Sequence, residues 1–190
     1  MGGPNKLLAT FDGVPLVRRS VATAKDSRAY RVLVVLGHDG DHIRGALDGL
    51  GVETLENPSF AEGMSTSLRL GFEAMSPYAD GVLVMLADQP ALEPAHLDAL
   101  IGAFAAEGPG SIVVATGGGE RGNPVVLSSR FASAIASIRG DRGARDLIAA
   151  NGALVREVEI GPAALTDVDT PDLLQAAGGI LAPDALPRRS

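Results

Sequence analysis

The chain has 190 residues, the length of one ordinary domain. Hydrophobic residues make up 46% and aromatic residues only 4%, so the chain can bury a core that must be mainly aliphatic. Lys and Arg number 16 against 23 Asp and Glu, a formal net charge of −7 without a basic cluster, which argues against a nucleic-acid partner. The absence of cysteine excludes disulfides, thiolate chemistry and Cys-type zinc sites.

Neither a membrane span nor a signal peptide is visible in the sequence. The longest apolar runs, such as residues 82–87, fall far short of the ~20 residues that cross a bilayer. The N-terminal MGGPNK has no apolar core. We therefore predict a soluble, cytoplasmic protein without a membrane partner. Residues 1–181 form one predicted domain, and residues 182–190 a flexible tail with two prolines and no periodic face.

Short β-branched runs alternate with helical stretches, which indicates a parallel α/β sheet. Three apolar runs without alternation are typical of strands covered on both faces, at residues 31–36, 81–86 and 111–115. Weaker strands are predicted at residues 52–55, 124–127 and 154–160. Helices are predicted at residues 15–23, 41–50, 65–75, 94–107, 129–137, 143–151 and 170–177.

Two acids lie where an open α/β sheet binds its ligands, beyond the carboxyl ends of strands. Asp88 follows the buried run 81–86, and a charge there needs a partner. It is either a turn or capping residue before the helix at Pro94 or a ligand of Mg²⁺, which takes carboxylate oxygens. Asp169 follows the late strand and either completes such a site or belongs to a plain Asp-Thr-Pro helix start.

Several segments offer groups that suit a phosphate, each with an ordinary structural alternative. Lys6, one of only two lysines, lies in a Gly/Pro turn. Residues 63–67 (GMSTS) form either an anion seat at a helix start or a common capped helix. Residues 117–124 either approach a ligand or turn between strands. Residues 140–145 (GDRGAR) place two guanidinium groups near a helix start. These groups either bind a phosphate or belong to a solvent-exposed helix face.

Other catalytic signatures are weak or missing. His38 and His42 have the i, i+4 spacing of a zinc pair, but Gly37 and Gly40 interrupt the helix that would align them. The sequence contains no Gly-x-Ser-x-Gly elbow and no Walker lysine loop. We therefore base no function on these patterns.

Six motifs occur in a familiar order: MGGPNKLL, ENPSFAEGMSTSLRLG, LADQP, RGNPV, GDRGAR and DVDTP. Over nearly the whole chain this set resembles the molybdenum cofactor cytidylyltransferases (MocA-type) of the MobA-like NTP transferase group. The Gln in LADQP favours the cytidylyl over the guanylyl branch. The resemblance implies a Rossmann-like, three-layer α/β/α nucleotidyltransferase sheet with mostly parallel strands.

The resemblance also implies a reaction and the residues that support it. The CMP part of CTP would be transferred to the terminal phosphate of molybdopterin, with Mg²⁺ as cofactor and pyrophosphate as product. A molybdenum hydroxylase is the implied protein partner. Lys6 and Asp88 would be catalytic, and Asp88 and Asp169 would hold the metal. The implied nucleotide-binding residues are Lys6, His38, Gly63, Ser65, Ser67 and Asp88. The implied acceptor-binding residues are Arg121, Gly122, Asn123, Arg142 and Arg145.

One family feature is missing. The family begins with a central strand and a Leu-Ala-Ala-Gly-x-Ser-x-Arg loop directly before the segment that Met1 opens here. Without that strand, its neighbours would keep unpaired backbone groups. We expect the natural protein to be longer and the 190-residue chain to be weak or inactive as a transferase.

Two other classes of protein stay open, as does another acceptor. The chain could be a chaperone that binds the finished molybdenum cofactor and delivers it to a hydroxylase. It could also be an oxidoreductase that binds a nicotinamide cofactor on the same fold. A sugar or alcohol phosphate could replace molybdopterin as acceptor.

Overall fold

The computed structural model describes residues 5–141 and 143–181. The strands are β1 Thr10–Phe11, β2 Val14–Pro15, β3 Leu33–Leu36, β4 Glu53–Glu56, β5 Gly81–Val84, β6 Ile112–Gly117, β7 Glu120–Ser128, β8 Val155–Glu159 and β9 Gly179–Ile180. The helices are α1 Leu16–Lys25, α2 Gly40–Ala46, α3 Met64–Met75, α4 Pro94–Glu107, α5 Ala132–Ala136, α6 Arg145–Ala150 and α7 Pro171–Ala176. The predicted tail at 182–190 lies outside these residues, and the domain boundary at 181 stays a prediction.

The central sheet has four strands in the order β5-β7-β6-β8. β6 is parallel to β8, whereas β7 is antiparallel to both β5 and β6, so only β7 is reversed. β3 and β4 form a separate parallel pair, and β1 pairs with β2 and β9 in a small antiparallel sheet. The predicted Rossmann-like α/β fold is confirmed, with its strands distributed over three sheets.

Helices cover both faces of the central sheet because β6 is apolar at every position of its first half. Side chains of a strand alternate between the two faces. Ile112 packs with Phe72 of α3 on one face, and Val113 packs with Leu100 of α4 on the other. All four side chains are buried. This alternation produces the three layers that the unbroken apolar run predicts.

Every predicted strand and helix has a counterpart, and α4 has the predicted bounds. Its start is set by Pro94 in the first turn and by a capping box between Glu93 and His96. The predicted helix at 129–137 is a 3-10 turn followed by α5, and β7 is longer than predicted. The small sheet of β1, β2 and β9 was not predicted from the sequence.

A cleft of about 1460 Å³ lies between β3 and β5. Within the described residues, β3 pairs only with β4 and β5 only with β7, so each keeps one edge without a strand partner. At one end the cleft is lined by Asp88 and Asp169, which lie beyond the carboxyl end of β5 and before α7. In the part of the chain that the structure describes, no helix has the length and apolar character of a membrane span.

Candidate active site

Asp88 and Asp169 lie together at one edge of the fold. The Lys6 ammonium nitrogen is 2.5 Å from Asp88 Oδ2 and 2.6 Å from Asp169 Oδ1. The Asp88 side chain is 15% exposed, whereas that of Asp169 is 66% exposed. Asp88 is therefore largely buried at this edge of the fold, and Asp169 faces solvent. The three residues that the resemblance links to metal and triphosphate form a single cluster.

Backbone contacts explain why distant segments meet here. The N–H of Val168 donates to the carbonyl oxygen of Asp88 at 3.0 Å, which places the DVDTP segment beside LADQP. Val168 is buried with Phe11 and Leu174. The Thr170 hydroxyl caps α7 by accepting the Leu173 N–H. Asp169 is thus held between a buried residue and a helix start.

The turn after β5 is anchored by a buried amide side chain. Gln89 is only 1% exposed, and its Nε2 donates to the carbonyl oxygen of Ala164 at 3.2 Å. The N-cap of α4 is Glu93, so Asp88 is not the cap that one alternative proposed. A charged side chain that is largely buried and does not cap a helix needs a charged partner, and for Asp88 that partner is the Lys6 ammonium.

Three carboxyl groups, those of Asp88, Asp167 and Asp169, lie close enough at this edge to repel one another. Burial raises the pKa of Asp167, and the negative charges of Asp88 and Asp169 raise it further. Partial burial alone lowers the pKa of Lys6, but hydrogen bonds and charges from Asp169 and Asp88 outweigh burial and raise it. The edge therefore attracts cations.

The donor set fits a hard divalent cation. Asp88 Oδ1 and Asp167 Oδ1 are buried and have no hydrogen-bond partner among the described residues. No group of three or more His, Asp or Glu side chains in residues 5–141 and 143–181 is arranged to hold a metal ion. Mg²⁺ needs only one or two protein carboxylates, because water and substrate phosphates complete its shell. Asp88 and Asp169 meet that requirement.

The predicted anion seat at the start of α3 is already engaged within the chain. The N–H of Met64 donates to Asp141 Oδ1 at 3.1 Å, and the N–H of Ser65 donates to the carbonyl oxygen of Gly140 at 3.0 Å. A Cβ on Gly63 would lie 2.6 Å from Asp141 Oδ1, so this close approach requires glycine. Phosphate binding at these amides would have to displace Asp141.

The other predicted nucleotide residues are more dispersed. Ser67 lines the cleft, and its hydroxyl accepts a hydrogen bond from Asn57 at 2.9 Å. Ser65 is buried. The His38 ring lies 6.0 Å from that of Phe60, centroid to centroid. Their nucleotide roles stay predictions.

The predicted acceptor residues line the same cleft as the acids. Arg121, Gly122, Asn123 and Arg145 all do so, whereas Arg142 lies outside the described residues. Arg121 Nε is paired with Glu157 Oε1 at 2.7 Å. Arg121 and Arg145 thus line the cleft that Asp88 and Asp169 also line, with the Arg121 guanidinium turned to Glu157 of β8.

Glu159 holds two loops near the site together, a role that the sequence analysis did not predict. Its carboxylate accepts the N–H groups of Gly118, Gly119 and Gly161 at 2.9–3.2 Å and the hydroxyl of Thr116 at 2.9 Å. The Gly118 N–H, then the Thr116 hydroxyl, are the main causes of its lowered pKa. Glu159 ties the β6–β7 turn to the segment that leads to the second acid. A lone Glu at a strand end gives no sequence signal for this.

His42 has a local partner. Its Nδ1 lies 2.5 Å from Asp39 Oδ1, and this hydrogen bond is the main cause of a raised pKa for His42 and a lowered pKa for Asp39. The described residues include no His cluster of the kind that a zinc site would need. The zinc interpretation of the two histidines gains no support.

The mixed α/β sheet has an acidic turn after its edge strand β5 and a second acid before α7, an arrangement that suits a nucleotidyltransferase. Consistent with this, the MobA-like NTP transferase domain matches residues 1–157, and the chain belongs to that family. The fold and the family make the chain a nucleotidyltransferase.

Three relatives extend the comparison. The purine catabolism protein PucB of Bacillus subtilis is 31% identical over 90% of this chain and 86% of its own length. The 3-deoxy-manno-octulosonate cytidylyltransferase of Chlorobium limicola is 33% identical over 56% of this chain and 42% of its own length. Rv0371c of Mycobacterium tuberculosis, in a crystal structure with manganese, has a TM-score of 0.76 at 25% identity, covering 91% of this chain and 90% of that chain.

Proposed function

We propose that this nucleotidyltransferase transfers CMP from CTP to the terminal phosphate of molybdopterin, using Mg²⁺. The observation that carries the proposal is the cluster of Lys6, Asp88 and Asp169, where one ammonium contacts both carboxylates. The manganese in Rv0371c and the cytidylyltransferase activity in the name of the Chlorobium relative support the metal and the nucleotide class. The choice of molybdopterin rests on the resemblance of the ordered motifs.

The reaction joins two anions, so catalysis consists mainly of charge neutralisation and positioning. An oxygen of the acceptor phosphate attacks the α-phosphorus of CTP, and the bond from that phosphorus to the bridging oxygen of pyrophosphate breaks. The acceptor phosphate is already ionised near neutral pH, so no general base is needed. This explains why the sequence carries no activating triad.

Asp88 and Asp169 would hold the divalent ion, which when bound supplies Lewis-acid charge to the reacting phosphates. The largely buried Asp88 would fix the position of the ion, and Asp169, which lines the same cleft, would hold it from the solvent-exposed side. Lys6 would neutralise charge on the leaving pyrophosphate. Arg121 and Arg145 would orient the acceptor phosphate, a task to which guanidinium groups are suited.

The test is a transfer assay with ³²P in the α-phosphate of CTP, with molybdopterin and Mg²⁺, measuring labelled product and pyrophosphate. GTP in place of CTP and a sugar phosphate in place of molybdopterin are the controls for substrate choice. We expect label in the pterin product with CTP only. Transfer to the sugar phosphate instead would contradict the acceptor assignment.

A thermal-shift series separates the other classes of protein. The melting temperature is measured with CTP, GTP and NADPH, each with and without Mg²⁺. The proposal predicts Mg²⁺-dependent stabilisation by CTP. Stabilisation by NADPH alone would favour an oxidoreductase, and tight binding of molybdenum cofactor without turnover would favour a chaperone.

A further inference from the structure

The position of Lys6 has a consequence beyond the reaction itself. Its ammonium contacts one oxygen of Asp88 and one of Asp169, the two carboxylates to which the proposed function assigns the metal. A divalent ion binds carboxylate oxygens at about 2.0–2.1 Å in the case of Mg²⁺. Each acid keeps a second oxygen, and Asp88 Oδ1 has no hydrogen-bond partner among the described residues. An ion bound to the same pair of carboxylates would nevertheless lie within a few ångströms of the ammonium, and two cations at that separation repel one another.

We propose that Lys6 is a built-in cation that competes with the divalent ion for Asp88 and Asp169 and leaves them when the ion binds. This inference rests on the metal site of the proposed function. It concerns how the site is loaded rather than which substrate it takes.

The local structure allows the side chain to move while its backbone stays in place. Asn5 caps the 3-10 turn Lys6–Leu8 by accepting the Leu7 N–H at 3.1 Å. Leu7 and Leu8 pack against buried clusters of the fold. The Lys6 side chain, in contrast, is 34% exposed on a flexible four-carbon stem. Its ammonium can therefore leave the carboxylates without unfolding the turn.

Competition of this kind couples metal and nucleotide binding. A triphosphate that attracts the Lys6 ammonium frees both carboxylates for the divalent ion, and an ion that displaces the ammonium makes it available to the phosphates. Such coupling is reciprocal by thermodynamic necessity. Lys6 thus makes the site prefer metal and nucleotide together over either alone.

The chain offers a matched control because Lys25 is its only other lysine. The Lys25 ammonium donates to the carbonyl oxygen of Leu50, away from the acids. The first experiment acetylates the amines of the 190-residue chain and measures modification of each lysine by peptide mass spectrometry, with EDTA or with saturating Mn²⁺. We expect Lys6 to be protected in EDTA and modified several-fold faster with Mn²⁺, with Lys25 unchanged. Equal or slower modification of Lys6 with Mn²⁺ would overturn the proposal.

The second experiment measures Mn²⁺ binding by electron paramagnetic resonance in Lys6→Met, Lys25→Met and the unaltered chain, without and with CTP. Lys6→Met should bind Mn²⁺ more tightly without nucleotide and lose most of the CTP-induced gain in Mn²⁺ affinity. We expect that gain to be about 5- to 150-fold in the unaltered chain. Lys25→Met should match the unaltered chain.

Weaker or equal Mn²⁺ binding by Lys6→Met, an undiminished CTP effect in that variant, or no Mn²⁺ binding by any chain would overturn the proposal. None of these measurements needs turnover. A chain that shows the competition but transfers no CMP to molybdopterin would therefore refute the proposed function and leave this inference standing.

Discussion

The backbone N–H of Val168 donates a hydrogen bond to the carbonyl oxygen of Asp88 at 3.0 Å. This main-chain contact joins the two acid-bearing segments independently of their side chains. The Lys6 ammonium then adds a side-chain contact to each acid. Because the backbone sets the geometry, substitutions at the acids should change the chemistry of the site and leave the fold intact.

Asp88→Asn should reduce CTP-dependent pyrophosphate release at least about 100-fold, since removing one group that stabilises transition-state charge typically costs 10²–10³ in rate. The amide keeps the shape of the side chain but lacks the negative charge that would hold the metal. Pyrophosphate release is measured by a coupled assay, and circular dichroism checks the fold. Asp172→Asn, an exposed acid in the first turn of α7, should keep full activity. Unchanged release by Asp88→Asn would remove Asp88 from the mechanism.

Glu159→Gln should destabilise the protein at neutral pH. Hydrogen bonds from Gly118, Thr116 and Gly119 hold the pKa of Glu159 below its ordinary value of 4.5. The ionised form is thus stabilised in the fold, and this contribution is present above pH 4.5 and is lost as the pH falls through the folded-state pKa.

The measurement is the free energy of unfolding from pH 7 down to pH 3 for Glu159→Gln and for the control Glu120→Gln. The difference between Glu159→Gln and the unaltered chain should shrink as the pH falls, and Glu120→Gln should show no such trend. A deficit that stays constant over this range would contradict the role of the ionised carboxylate.

Asp167→Asn should stabilise the metal-free protein. Burial and the charges of Asp88 and Asp169 raise the pKa of Asp167 above its ordinary value of 3.8. Its ionised form therefore costs stability above the folded-state pKa, and this cost disappears below pH 3.8. Melting temperatures in EDTA should be higher for Asp167→Asn at pH 7, with the gain lost at pH 3. A lower melting temperature at pH 7 would show that Asp167 makes a favourable contact instead.

Gly122→Ala should destabilise the acceptor side of the cleft. A Cβ at this position would lie 2.0 Å from the carbonyl oxygen of Ala164, a backbone atom that cannot move aside alone. Overpacking of this kind typically costs about 1–3 kcal/mol. Gly102→Ala is the control, because it lies inside α4 with open space around its Cβ position and should be neutral or stabilising. Urea unfolding of both variants tests this, and equal stability would contradict the close approach.

The sequence predicted the main strands because their apolar runs are long enough to show burial on both faces. It could not predict β1 and β9, which have two residues each and thus no periodicity. Likewise, the position of Asp88 after a buried strand pointed to the ligand edge, which the position of the cleft supports. The features that the sequence predicted well are those set by residues adjacent in the chain, such as an apolar run or an acid directly after it.

Contacts between distant segments account for what sequence reasoning missed. Asp141 reads as an exposed loop acid, yet its carboxylate accepts the Met64 N–H at the start of α3. Glu159 reads as the end of a strand, yet it holds three backbone amides. Neither partner set follows from local residue types, because the tertiary fold alone brings those groups together.

Mn²⁺ binding to Asp88→Asn, Asp169→Asn and the double variant, followed by electron paramagnetic resonance, tests most directly whether the two acids form one divalent-cation site. If they do, each single variant loses most of the affinity, and the double variant binds little more weakly than either single one, because ligands of one ion are not additive. Mn²⁺ affinity that is unaffected by Asp169→Asn, or losses that simply add in the double variant, would contradict a shared site.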